Sequence, residues 1–212
     1  MQRTLDFKPH IATWTPTFEC LAEPIERLLR QFLPATLERL NGTLTFAHKL
    51  SLAQPSEHEA ARLYFRASLA EYVSIEDVAT QEGDRQFSKF SVRGNQWPLP
   101  HIFRLLRHLN VHVQSNTLSD RQVALQLKNL PNAQPVNCSL WYVEGLTASH
   151  LLQLDGFNKG KIPEYRPVDA EKMVEWLEAA QHPYGITDLI WRAVVEAGDD
   201  LCRFYKLQTF SS

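Results

Sequence analysis

Apolar residues in the first part of the chain recur every three or four positions, which is the spacing of one buried face of an α-helix. This spacing predicts a helix over about 19–40, in which Pro34 should produce a kink or a split. Asn41 and Gly42 form a helix-stop signal, so we expect the helix to end there. The pattern over 43–52 fits a short strand or irregular structure and does not decide between them.

Two more helices are predicted in the first half of the chain. Ser56 and Glu59 have the spacing of a capping box, which predicts a helix that begins there and runs to about Thr80, with Gly83 ending it. Its expected core-facing stripe is Ala60, Tyr64, Ala67, Glu71, Ser74 and Val78. A loop over 83–97 should lead to the next helix, over about 99–113. The apolar face of that helix is expected to be Ile102, Leu105, Leu106, Leu109 and Val113.

The periodicity then changes from helical to alternating. Residues 121–127 and 137–143 alternate in the manner of strands, and together they predict a β-hairpin with a long loop. The pattern over 146–154 is ambiguous. The glycines and prolines of 155–167 favour a loop.

Two helices are predicted to close the chain, over 169–181 with Asp169 as its N-cap and over 186–204. The predicted fold is therefore mainly α: an antiparallel helical bundle with an additional β-hairpin and C-terminal helices. We expect 1–120 to form the helical core. The remainder, 121–212, is expected to be an addition that belongs either to the same domain or to a second small one.

Composition limits the classes of partner. The 212 residues are 44% hydrophobic and 22% charged, as in an ordinary globular protein, and the net charge is −2. This charge gives no bulk basic surface for duplex nucleic acid, although a local basic site is compatible with it. Three widely spaced cysteines without a Cys-x-x-Cys pair are typical of a reducing compartment.

The distribution of apolar runs along the sequence also predicts the cellular location of the protein. The stretch 1–15 lacks the apolar core of a signal peptide. No apolar run approaches the roughly 18 residues needed to span a bilayer. We therefore expect a cytoplasmic protein without a membrane partner.

The helix predicted over 99–113 carries the chain's most distinctive polar side chains. On a helical wheel, His101, Arg104, His108 and His112 fall within an arc of about 80°, away from the apolar stripe. Arg107 lies on a different flank of the same helix.

Arg107, the polar His108 and His112 resemble the Arg-polar-x-x-x-His signature of the HEPN ribonucleases. The likeness covers only about 98–116 well; the helices around it agree in kind. It implies metal-independent cleavage or binding of RNA, with no cofactor, by a toxin or defence protein. It also implies a homodimer in which two copies of the motif form one site.

In the chemistry that this resemblance implies, the ribose 2′-hydroxyl is the nucleophile. His112 would move a proton, because the reference pKa of histidine is near neutral. Arg107 would bind the scissile phosphate and stabilise its extra negative charge. Glu71 would hold Arg107 by an ion pair, if its helix packs against this one. The supporting residues are expected to be His108, Asn110, Glu71 and Arg104.

Other interpretations stay open at this stage. The polar stripe could be a solvated helix face. His108 and His112 have a spacing that can bind zinc, but the sequence offers no third ligand and lacks the His-Glu-x-x-His motif. The chain could instead be a non-catalytic interaction protein, for example a partner of the antitoxin kind. It could also bind a small ligand in a pocket between bundle and hairpin.

Overall fold

The computed structural model describes residues 3–8, 21–83, 90–91, 96–112, 117–125, 134–158 and 164–205. These residues form eight helices and one two-stranded sheet, which confirms the predicted mainly α fold with a hairpin and C-terminal helices. The helices are α1 (Glu23–Phe32), α2 (Pro34–Leu52), α3 (His58–Glu82), α4 (Pro98–His112), α5 (Ala148–Leu152), α6 (Asp155–Asn158), α7 (Pro167–Gln181) and α8 (Gly185–Phe204). The strands are β1 (Thr117–Leu125) and β2 (Val136–Glu144).

The first predicted helix is two helices. Pro34 begins α2, where a missing backbone N–H costs little, so the predicted split is confirmed. The predicted end at Asn41 and Gly42 was wrong, because α2 continues to Leu52 and makes 43–52 helical. A Cβ at Gly42 would lie 3.2 Å from the carboxyl carbon of Glu71, so glycine allows α3 to pack closely there.

Helix α3 was predicted well in extent and less well in its details. It begins after Glu57 without a side-chain cap, so the capping box from Ser56 is not formed. The carboxylate of Glu57 instead accepts a hydrogen bond of 2.8 Å from the Gln54 backbone N–H. The predicted stripe is only half-buried, since the buried face lies about one residue further along. The residues of this buried face are Ala61, Phe65, Ser68, Leu69, Tyr72, Ile75 and Ala79.

The second half of the chain contains the predicted hairpin, with Val123 of β1 opposite Cys138 of β2. The ambiguous stretch and the predicted loop contain the short helices α5 and α6. Asp169 is not an N-cap, because α7 already begins at Pro167. The Asp169 carboxylate reaches back to the Arg166 backbone N–H, at 3.1 Å. The loop expected over 83–97 and the end of the first predicted strand lie largely outside the described residues.

The two halves of the chain share one buried core. Helix α8 contacts α1, α2 and β2, while α4 contacts α3 and α7. Buried side chains of this core extend from Leu5 in the N-terminal segment to Cys202 in α8. The α7–α8 pair therefore completes the bundle that 1–120 begins. Across the described ranges, no helix combines the length and the apolar character that crossing a membrane requires.

Candidate functional site: a cavity beside helix α4

The polar face of α4 is covered by a later part of the chain. His101, at the start of this face, is fully buried, and its Nδ1 lies 3.0 Å from the hydroxyl oxygen of Tyr165. The two rings also meet edge to face, with their centroids 5.6 Å apart. One turn later, the Arg104 guanidinium donates a hydrogen bond of 3.2 Å to Glu164. The stripe is therefore not simply a solvated helix face.

A cavity of about 490 Å³ lies between this face of α4 and the chain segment that covers it. Arg104, Leu105 and His108 line it from α4. The opposite side is formed by Gln153 and Leu154, which join α5 to α6, by Asp155 and Gly156 at the start of α6, and by Glu164 and Tyr165. The volume is within the usual range for small-molecule sites, roughly 300–1,000 Å³.

Glu164 holds two cations beside this cavity. One carboxylate oxygen accepts the hydrogen bond from Arg104, and the other lies 3.0 Å from Nε of Arg3, in the N-terminal segment. The backbone N–H of Arg3 also donates to the backbone carbonyl of Glu164, at 2.9 Å. The positive charge of Arg104 is thus offset by a carboxylate within the site. Asp155 contributes a second carboxylate to the lining.

Tyr165 and Gly156 hold the covering segment together. The Tyr165 backbone N–H donates to the Gly156 carbonyl at 3.1 Å, and the Tyr165 ring packs against Phe157 with centroids 5.3 Å apart. A Cβ at Gly156 would lie 2.9 Å from the Tyr165 ring. Glycine at this position therefore permits the close approach that shapes one wall of the cavity.

Of the five predicted site residues whose side chains the structure describes, Arg104 and His108 line this cavity. Arg107 is half-buried and does not line it. The Asn110 side-chain amide donates to the Leu106 carbonyl of its own helix, at 2.9 Å. His112 is the last residue of α4, and its side chain lies outside the described part of the chain. That the His112 imidazole and the Arg107 guanidinium meet at one site stays a prediction.

The ion pair expected between Glu71 and Arg107 was wrong. The Glu71 carboxylate accepts a hydrogen bond of 3.0 Å from the Arg39 guanidinium on α2. The cause is the position of Glu71 on α3. It lies on the side of α3 that faces α2, where it also meets Gly42. Glu71 therefore supports the contact between α2 and α3.

Sequence reasoning missed the residues that complete the cavity, namely Gln153, Leu154, Asp155, Gly156, Glu164 and Tyr165. They fall in the ambiguous stretch and the predicted loop, where no periodicity indicates a partner. The available signal was the stripe itself, because a face that combines arginine with histidines can be buried only against acceptors.

Within the described ranges, no group of three or more His, Cys, Asp or Glu side chains is placed to hold a metal ion. No protein-family model, curated protein or solved structure was found that matches the chain. The resemblance to the HEPN ribonucleases rests on the residues of α4 alone.

Proposed function

We propose that this protein binds a small polar molecule in the cavity beside α4. The observation that carries the proposal is a cavity of about 490 Å³ between the polar face of α4 and the residues that pack over it. Ligand sites combine apolar walls with a few convergent polar groups. Here Leu105 and Leu154 supply the apolar surface, and Arg104, His108 and Glu164 supply polar groups.

The test is a ligand-observed NMR screen of a fragment collection that contains neutral, cationic and anionic compounds. Leu154→Trp would place an indole in the cavity and should abolish binding of the hits. The matched control is Leu63→Trp, because Leu63 is 62% exposed on α3 and does not line the cavity. Hits that bind wild type and Leu63→Trp but not Leu154→Trp support the proposal. The absence of any such hit contradicts it.

A second candidate function is the metal-independent cleavage or binding of RNA, in the manner of a HEPN toxin or defence protein. The observation that favours it is the state of Arg107, which forms no ion pair with another described residue and lies on a flank of α4 outside the cavity. A guanidinium can bind phosphate through charge-assisted, often bidentate, hydrogen bonds. In this proposal His112 moves the proton, and a second copy in a cytoplasmic homodimer completes the site.

This candidate is tested by incubating the protein with total RNA in EDTA. Arg107→Ala and His112→Ala should each abolish cleavage, while Arg62→Ala, at an exposed position on α3, should retain it. Folding of each variant is checked by circular dichroism. If folded wild type leaves the RNA intact and does not retain it on a filter, the RNA proposal is refuted. A non-catalytic interaction protein would then be the remaining alternative to ligand binding.

A further inference from the structure

We infer that two copies of this chain associate through β1, whose outer edge pairs in antiparallel fashion with the same edge of the second copy. The two hairpins then form one four-stranded sheet. The inference concerns the hairpin and does not depend on what the cavity beside α4 binds. It follows from the direction of the backbone groups of β1, from the exposure of its second half, and from the charges that a symmetric pairing brings together.

The hydrogen bonds of Gln181 identify the backbone groups of the hairpin that point outwards. The Gln181 side chain binds both the N–H and the C=O of Val143, so these groups do not bond to Leu118, which lies opposite in β1. In an antiparallel ladder such pairs alternate with hydrogen-bonded ones. Gln122 and Ala124 follow Leu118 by four and six positions, so their N–H and C=O groups also point away from β2. They therefore lie on the outer edge of β1.

This outer edge is open in the second half of β1. Gln122 and Ala124 are exposed, and across the described ranges no backbone hydrogen bond joins either of them to an element other than β2. The outer edge of β2, in contrast, is covered by Gln181 and by Gly185, where a Cβ would lie 2.7 Å from the Trp141 carbonyl oxygen. A row of unpaired N–H and C=O groups is a template for pairing with another strand.

Strand β1 also lacks the features that usually protect an edge strand from such pairing. Its nine residues contain no proline and no lysine, and they pair with β2 without a bulge. Its one arginine, Arg121, forms an ion pair with Glu144 of β2. Among the residues whose backbone points outwards, only Asp120 is charged. The edge is therefore suited to a defined partner strand, and a second copy related by a two-fold axis supplies one.

The charges of β1 select one register for this pairing. A two-fold axis at Asp120 or at Arg121 would place two like charges directly opposite each other, which destabilises a pair of strands. An axis at Gln122 places Asp120 opposite Ala124 of the second copy and Arg121 opposite Val123 of the second copy. Gln122 then lies opposite its own copy, and these two residues exchange both of their backbone hydrogen bonds.

The same register keeps the two helical bundles apart. Buried side chains of the hairpin, such as Leu118, Trp141 and Val143, lie near the end at which β1 begins. Pairing over 119–125 is instead centred on the exposed half, so the two bundles lie at opposite ends of the shared sheet. The paired segment is shorter than the roughly 20–30 residues a side of a standard interface, so we expect a weak, concentration-dependent dimer.

Sedimentation equilibrium of the full chain, at concentrations up to about 1 mM, measures this association. The first variant is Gln122→Pro, which removes the N–H groups that the two copies would exchange. It leaves the ladder between β1 and β2 intact, because proline is tolerated where the N–H of an edge strand points outwards. We expect the dimer Kd to rise about tenfold or more. Circular dichroism checks that the variant is folded.

Charge variants test whether the strand pairs with its own copy. Gln122→Lys and Gln122→Glu should each raise the homodimer Kd about twofold to fivefold, because only a residue on the axis meets itself. A mixture of the two should form a heterodimer about fivefold more tightly than either homodimer. Ala124→Glu, which would face Asp120, should weaken the dimer, and Ala124→Lys should not. Gln31→Lys, at an exposed position on α1, should leave the Kd unchanged.

Three results would overturn the inference. The first is a wild type that stays monomeric at every concentration. The second is a dimer whose Kd is unchanged in folded Gln122→Pro, since such a dimer, for example one formed through α4, would not use the edge of β1. The third is a mixture of Gln122→Lys and Gln122→Glu without preference for the heterodimer. If Gln122→Pro does not fold, the charge variants alone decide.

Discussion

The side chain of Gln181, the last residue of α7, forms hydrogen bonds with the backbone of Val143 in β2. Its side-chain Nε2 donates to the Val143 carbonyl at 2.8 Å, and its Oε1 accepts from the Val143 N–H at 2.9 Å. Gln181 and Val143 are each 3% exposed, so water does not readily replace these bonds. One side chain therefore satisfies both polar groups of a buried residue of β2.

Gln181→Met keeps the length of the side chain and removes both partners of Val143. A buried backbone donor or acceptor left without a partner costs about 1–3 kcal/mol, so the two groups together should lower the free energy of unfolding by about 2–6 kcal/mol. Domains of this kind are stable by about 5–15 kcal/mol, so the loss is a large fraction of the whole. The apolar methionine should recover only a small part of it.

Urea unfolding followed by circular dichroism measures this effect. Gln31→Met is the matched control, because Gln31 is exposed on α1, and its stability should stay within about 0.5 kcal/mol of wild type. The Val143 amide should also exchange its hydrogen faster in Gln181→Met. A loss below about 1 kcal/mol at an unchanged slope with urea, with the Val143 amide still protected, would refute the assignment of this role to Gln181.

Two further predictions concern glutamates. The Glu82 carboxylate accepts hydrogen bonds from the Ala35 N–H at 2.6 Å, the Thr36 N–H at 2.7 Å and the Thr36 hydroxyl at 2.6 Å. Glu82 thus caps the N-terminus of α2, and Glu82→Ala should lower the free energy of unfolding by urea by about 1–3 kcal/mol. The same substitution at an exposed glutamate on α2 should change it little. Equal effects of the two substitutions would contradict the capping of α2 by Glu82. Partial burial, followed by repulsion from two nearby aspartates of α8, raises the pKa of Glu196. The folded state thus holds this proton more tightly than the unfolded state, and Glu196→Gln should raise stability at neutral pH. That gain should shrink as the pH falls to the ordinary range of glutamate, and a constant gain at all pH values would contradict it.

The sequence predicted an element correctly where the covalent structure of a single residue decides where a helix begins or ends. Pro34 cannot continue the hydrogen bonding of a preceding helix, so the split between α1 and α2 follows from its chemistry. Gly42 misled the prediction because a glycine stops an isolated helix but also permits close packing, and only the position of α3 decides between the two. The face of α3 was misplaced for a related reason: polar residues such as Glu71 and Ser74 sit at its edge, where periodicity is least informative.

The candidate site was predicted only in part. The stripe of α4 identified Arg104 and His108, since a polar row on one helix face is visible in the sequence. Its partners lie about 50–60 positions later, in a stretch without periodicity, and Glu164 pairs with Arg3 across an even larger separation. No local pattern encodes such contacts, because they depend on how residues far along the chain, before α7, pack against α4. Glu71 was assigned to the wrong arginine for the same reason.

The double attachment of Glu164 gives the extreme N-terminal segment influence over a distant site. Arg3 does not line the cavity, yet it supplies one of the two cations that neutralise Glu164. Arg3→Ala would remove one of the two guanidinium groups that contact this carboxylate and would leave the contact with Arg104. The net formal charge around the cavity would then become more negative by one, although none of the residues that line the cavity would have changed.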